Sequence, residues 1–258
     1  MNTQIQNIRL ILIAGLVLSS ILTTGCNKVR LDVPKSEKVG METLKVSDRS
    51  TFLTDRGFKL GNYKVSDVDR DWDTTTTTGI GPISKGQSNG GYAFKLKGKP
   101  QSISANCYSQ SNNNKVDLGA GWGLGNSNSS LKCQCGEDAK LSLMDAESYR
   151  ALKQKDNDAE VELTKHDSEL FASLMQHFKG DLLLNGKTYP ITSLHQSKQS
   201  DLNPMPMGYQ VKGEKENIGI VEVVQPGQVW LNQNLSAKEK TQLTCLLTSL
   251  MFYQPNEQ

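Results

Sequence analysis

The chain has 258 residues, with 29 Lys and Arg against 27 Asp and Glu, 36% hydrophobic residues and 6% aromatics. A balance this close to neutral argues against binding to nucleic acid or to a lipid surface through a polybasic patch as the main business, so no nucleic acid is expected as a partner. The length suits one large domain or two small ones, and the apolar content suffices for a core.

The first element is an apolar run from Leu10 to Leu22, preceded by a single charge, Arg9. It is too short to span a bilayer, which takes roughly 20 apolar residues, and has the form of a secretory signal. Leu22-Thr23-Thr24-Gly25-Cys26 resembles the lipobox of bacterial lipoprotein precursors. The resemblance implies that residues 1–25 are removed as a signal peptide. It further implies that Cys26 receives a thioether-linked diacylglycerol and an amide-linked acyl chain such as palmitate, which together hold the protein on a membrane. Asn27 lacks the carboxylate that retains such proteins in the inner membrane, so the implied address is the outer membrane, with the domain on its periplasmic face.

Residues 26–51 mix charges with Pro34 and Gly40 and read as a lipidated tether, leaving 52–258 as a single periplasmic domain. Phe58-Lys59-Leu60 and Tyr63-Lys64-Val65 read as short strands. The five threonines from Thr74, followed by Gly79, Gly81 and Pro82, read as a polar loop. Tyr92 to Lys97 alternates as a strand, turns at Gly98-Lys99-Pro100, and returns through Ser102 to Ser109 with Ile103, Ala105 and Cys107 on one face. The Asn-, Ser- and Gly-rich stretch from Gln110 to Ser130 is expected to be loop, and Leu131 to Cys135 a strand.

Asp145 to Lys155 reads as a short exposed helix and Glu160 to Leu163 as a strand. Asp167 to Lys179 reads as a helix, with Leu170, Leu174 and Phe178 at helical spacing, Asp167 as N-cap and Gly180 as stop, although Ala172, Leu174, Gln176 and Phe178 would also alternate in a strand. Asp181 to Leu184, the turn Asn185-Gly186 and Thr188 to Ile191 form the strongest hairpin signal, because Asn-Gly supplies the positive φ angles of a type I′ turn. Gly208 to Val211 and Ile218 to Val224 make a second antiparallel pair, and Pro226-Gly227 turns into Val229-Trp230-Leu231.

Ser236-Ala237-Lys238-Glu239 is a capping box opening a last helix that carries no charge from Thr241 to Tyr253. A helix apolar on every side belongs inside a structure. The expected fold is therefore mainly β (α+β), an antiparallel sheet or barrel-like β structure packed around the apolar C-terminal helix. In outline this is similar to the tubby and phospholipid-scramblase folds, a likeness of architecture that carries over no site residue.

Export to an oxidising compartment favours disulfides among Cys107, Cys133, Cys135 and Cys245. Cys107 is expected to bond Cys133 or Cys135, which share one face of a strand and are poorly placed to bond each other. Cys245, inside the apolar helix, reads as a buried thiol, with a second disulfide as the alternative.

Candidate sites are few. Asp67, Asp69, Asp71 and Asp73 could gather around Ca²⁺, but an EF-hand loop needs Gly and Glu where this chain has Trp72 and Thr78. They read as a solvated acidic face, and neither metal nor cofactor is expected. Gly79 to Gly86 lacks the Lys-Ser/Thr pair of a phosphate loop. Trp122, among the glycines from Gly119 to Gly125, is a candidate ligand or membrane contact, or folds back over the disulfide. His166, His177 and His195 show no metal-ligand spacing, and no Gly-x-Ser-x-Gly elbow is present. The expectation is a non-catalytic binding or envelope-assembly module whose partner is an envelope protein, peptidoglycan or lipid. The alternative is an envelope hydrolase with a triad assembled from distant segments.

Overall fold

A computed structural model of the chain describes residues 29–50, 56–80, 83–99, 101–119, 122–157, 177–200 and 203–253. The molecule is built around its last helix, α2 (Ala237–Phe252). Its N-terminus is closed by the capping box, with the Ser236 hydroxyl accepting from the Glu239 N–H and the Glu239 carboxylate accepting from the Ser236 N–H. Every residue from Thr241 to Phe252 is buried. Of its hydroxyl residues, Thr241, Thr244 and Ser249 tolerate this by donating to carbonyls of the helix itself, those of Ala237, Lys240 and Leu246, whereas the buried Thr248 hydroxyl has no hydrogen-bond partner. At the other end the free carbonyls are capped from outside: the Tyr92 hydroxyl donates to Ser249 O at 2.7 Å, and Arg49 and Arg70 donate to Met251 O and Phe252 O. Burial, reinforced by the like charge of Arg70, lowers Arg49 to about 10.

Around α2 lies a closed antiparallel barrel of twelve strands. β1 is Met41–Ser47, β2 Lys59–Leu60, β3 Tyr63–Ile80, β4 Ile83–Lys97, β5 Ser102–Gly119 and β6 Trp122–Cys135. They are followed by β7 Ala139–Asp145, a helix α1 (Ala146–Asn157), β8 Phe178–Leu184, β9 Lys187–Leu194, β10 Gly208–Lys212, β11 Asn217–Glu222 and β12 Gln228–Asn232. Each strand pairs with its sequence neighbour, and β1 closes the ring by pairing with β12 from Met41↔Asn232 to Lys45↔Gln228. Closure leaves the barrel itself without an edge. Alternate residues such as Phe94 and Leu96, Ile103 and Ala105, Leu141 and Leu143, and Leu182 and Leu184 point inward and pack with Leu243, Leu246, Leu247 and Leu250 in one core.

The strands chosen for their alternation are present, and the type I′ hairpin joins β8 to β9 with φ of 50° at Asn185 and 77° at Gly186. Three expectations need correction. The tether is not free up to residue 51: Met41–Ser47 is a barrel strand that buries Leu44 and Val46, and its alternation is masked in the sequence by the charges between them. Upstream of it, Leu31 bridges to Ser197, and Leu31 and Val33 are buried against Met207, Ile220 and Trp230 on the outside of the barrel. The stretches read as polar loops are strands. Thr74 to Ile80 and Gln110 to Gly119 continue β3 and β5, and Trp122 to Ser130 begins β6, so β3–β6 run on together past the core. Beyond the core the ladder is held by backbone hydrogen bonds, so polar side chains, including β-branched threonines, fit it without an apolar face.

The third correction is Cys245, which is no free thiol: Cys107 is bonded to Cys133 and Cys135 to Cys245, the second bond tying the barrel wall to the helix inside. Ala139–Asp145 is a strand that the sequence reading passes over, although Ala139, Leu141 and Leu143 alternate inward. The expected strand at 160–163 and most of the expected helix from Asp167 to Lys179 lie outside the described residues; where that helix would end, Phe178 and Lys179 instead open β8, paired with Asp145 and Met144 of β7.

Candidate functional site

The ladders place several features at one end of the barrel, the end to which the C-terminus of α2 points. Glu222 ends β11 there, next to Gly208 of β10 and Leu194 of β9. Phe178 and Asp145 lie on the same rim, and beyond Thr74, Asn89, Gln110 and Ser130 the four long strands project past it.

On the β11 wall the chain arriving from the N-terminus is clamped. Arg30 donates Nε and Nη2 to the two oxygens of Glu222, both at 2.6 Å, and the Leu31 N–H donates to the same carboxylate at 2.9 Å. Glu222 is 1% exposed and Arg30 35%, so a buried carboxylate is neutralised by a half-buried guanidinium, whose own pKa it raises. Arg30 follows Cys26 by four residues, and Cys26 itself lies outside the described residues.

A few residues away the rim carries a Ser–His pair that sequence reasoning missed. Ser193 Oγ lies 3.0 Å from His195 Nε2, and His195 Nδ1 lies 2.9 Å from the Asn203 carbonyl oxygen. With the Nδ1 proton donated to that carbonyl, Nε2 is left to accept from the serine. Ser193 Oγ also accepts from the Phe178 N–H at 2.9 Å. The ring of His177 meets that of His195 edge-on, with centroids 4.6 Å apart. Burial lowers the pKa of both imidazoles; the Asn203 carbonyl opposes this at His195, and Lys179 adds to it at His177. The readable signal was Ser-x-His, which puts both side chains on one face of an extended segment. His166 lies outside the described residues.

Of the acidic run, Asp67, Asp69 and Asp71 are exposed on β3, and Asp67 sits at a bulge with φ of 52°. Its carboxylate faces Lys97 at 3.6 Å and Lys95 at 3.9 Å. For Asp73 and Trp122 the strand position is described but not the side chain: Asp73 lies in β3, and Trp122 begins β6 opposite Gly119. Among the described residues no group of three or more His, Cys, Asp and Glu could hold a metal ion. At the opposite end of the barrel an open groove of about 680 Å³ lies between Leu44, Tyr63, Lys97, Lys99 and the start of α2. Glu42 and Lys240, also on its wall, pair with each other at 2.9 Å.

No family model, curated protein or solved structure matches this chain. The reading of its surfaces therefore rests on their chemistry alone. At the middle of the helix Leu246 and Leu250 are buried among strand residues of the core.

Proposed function

We propose that this protein is an outer-membrane-anchored lipoprotein whose barrel is a non-catalytic binding or envelope-assembly module. The observation that carries this reading is that the barrel is filled by its own helix, which is stapled by Cys135–Cys245 and buried from Thr241 to Phe252, so recognition is left to the outside. The clamp of Arg30 on Glu222 adds to it, since an anchor at Cys26 would present the rim at a fixed short distance from the bilayer. Metabolic labelling with palmitate, followed by recovery of partners from envelope membranes with the lipidated chain, tests the reading. Label should enter the protein and be lost in Cys26→Ala, which should also release the protein from membranes. Absence of label, or a Cys26→Ala variant that stays in the membrane fraction, overturns it.

The Ser193–His195 pair supports a second reading, that of a hydrolase in which Ser193 is the nucleophile and His195 the base held in its tautomer by Asn203. Against it stands the Phe178 N–H, which already occupies the serine oxygen. A serine-reactive fluorophosphonate separates the two: labelling of the full chain that is lost in Ser193→Ala favours the enzyme, and an unlabelled chain favours the binding module.

A further inference from the structure

The four strands beyond the rim form a sheet with two open edges. From Thr74 to Ile80, β3 pairs only with β4, because β2 reaches no further than Tyr63 and Lys64. From Trp122 to Asn128, β6 pairs only with β5, because β7 begins its ladder at Ser130. Among the described residues neither edge has a strand on its outer side.

Three features make these edges fit each other. First, they span the same height: Thr74, Asn89, Gln110 and Ser130 form one row, and Ile80, Ile83, Val116 and Leu124 form another. Second, β3 runs outward and β6 runs back, so an even number of strands puts edges of opposite direction on the two sides, which is what antiparallel pairing between copies requires. Third, neither edge is protected. Thr74–Ile80 and Trp122–Asn128 contain no Lys, Arg, Asp, Glu or Pro, the residues by which exposed edge strands ordinarily avoid pairing. The threonine run instead favours strand.

We propose that copies of this protein join head to tail, β6 of one copy pairing antiparallel with β3 of the next through these projecting strands. Such an interface is heterologous, so repetition gives a ring or an open row, and the row of Ile80, Ile83, Val116 and Leu124 continues from copy to copy at the far end of the sheet. The body of each barrel lies to one side of the sheet that forms part of its wall, so curvature with the barrels on the convex side gives them room. The interface does not depend on lipidation of Cys26, and its test therefore stands apart from that of the anchor.

Within one chain the two edges are three strand spacings apart, about 14 Å, well outside disulfide reach. A bond between cysteines placed on both edges can therefore form only between copies. In the full chain produced in its own envelope, Thr76→Cys/Asn126→Cys and Thr76→Cys/Asn128→Cys are tested as alternative registers on non-reducing gels. One of them should give a ladder of three or more chains that collapses to monomer on reduction. Adding Thr75→Lys/Thr77→Lys should abolish the ladder without moving the unfolding midpoint. Double variants that remain monomeric, or single-cysteine variants that dimerise as readily as the pairs, overturn the proposal. Sedimentation of the unaltered chain supplies a readout free of substitutions: a multimer at high concentration supports the interface, and a monomer throughout the micromolar range overturns it.

Discussion

Breaking the two disulfides separately should have unequal costs, because they close loops of very different length. Cys107 and Cys133 are 26 residues apart and directly opposite in the β5–β6 ladder, whereas Cys135 and Cys245 are 110 apart and join the wall to the helix inside it. The chain-entropy relation gives about 3.5 kcal/mol for the shorter loop and about 4.8 kcal/mol for the longer. All four cysteines are buried in the core, so both double-alanine variants lose sulfur packing of similar size. The long staple should therefore be worth about 1 kcal/mol more than the short one, and together they approach the whole stability of an ordinary domain. Urea unfolding followed by the fluorescence of buried Trp230, extrapolated to water for the unaltered chain and the two double-alanine variants, measures the difference. If Cys107→Ala/Cys133→Ala proves the more damaging pair, the account of the 135–245 bond as the tie between helix and barrel is wrong.

Arg30→Ala strands the buried Glu222 carboxylate with the Leu31 N–H as its remaining close donor and should cost about 3 kcal/mol, whereas Glu222→Gln, which leaves a half-buried Arg30 in reach of water, should cost less; chemical denaturation of the two variants checks the order. A Cβ at Gly180 would lie 2.0 Å from the Ser142 carbonyl oxygen, so Gly180→Ala should force β7 and β8 apart at a cost of about 1–3 kcal/mol, read as a lowered unfolding midpoint. His177 and His195 have folded pKa values below the ordinary 6.5, so the unfolded chain binds more protons beneath that value; stability should fall as pH drops through it, and His177→Gln/His195→Gln should flatten the dependence between pH 7 and about pH 5. Ser236→Ala removes the hydroxyl that accepts from the Glu239 N–H and should cost about 1 kcal/mol in the same denaturation assay.

What could be read from the sequence was whatever announces itself locally. The capping box, the uncharged helix, the Asn-Gly turn and the strands with one buried face each carry their signal within a few residues. The projecting halves of β3–β6 carry none, because apolar alternation records burial on one face, and past the rim no core remains to select it. β1 is hidden for a related reason: Leu44 and Val46 alternate, but the partner that makes them a strand is β12, at the far end of the chain. The clamp is less legible still, since nothing near Arg30 suggests that its partner is Glu222. At the Ser193–His195 pair the spacing is visible, but the Asn203 carbonyl that sets the imidazole's tautomer comes from another segment.

The positions of the clamp and of the projecting sheet constrain each other. Counting around the barrel of twelve strands, β11 is five strands from β6 one way and four from β3 the other, so the Arg30–Glu222 clamp stands across the barrel from the open sheet edges at the same end. In the proposed assembly the β3–β6 walls meet side by side, and every β11 wall then faces outward. If Cys26 carries the proposed lipid, the anchors would lie on the circumference, each within about 14 Å of its own Arg30, where lipid chains do not obstruct the pairing of strands. The two faces of the sheet argue against its crossing the bilayer alone. Between the rows at Thr74 and Ile80 its strands are made of Thr, Ser, Asn, Gln and Gly with Lys85 and Lys115, rather than the apolar alternation that lipid demands of a spanning strand. A sheet of this composition is suited to water on its faces and to backbone pairing at its edges, and pairing with another copy satisfies the hydrogen bonds that the barrel leaves open there.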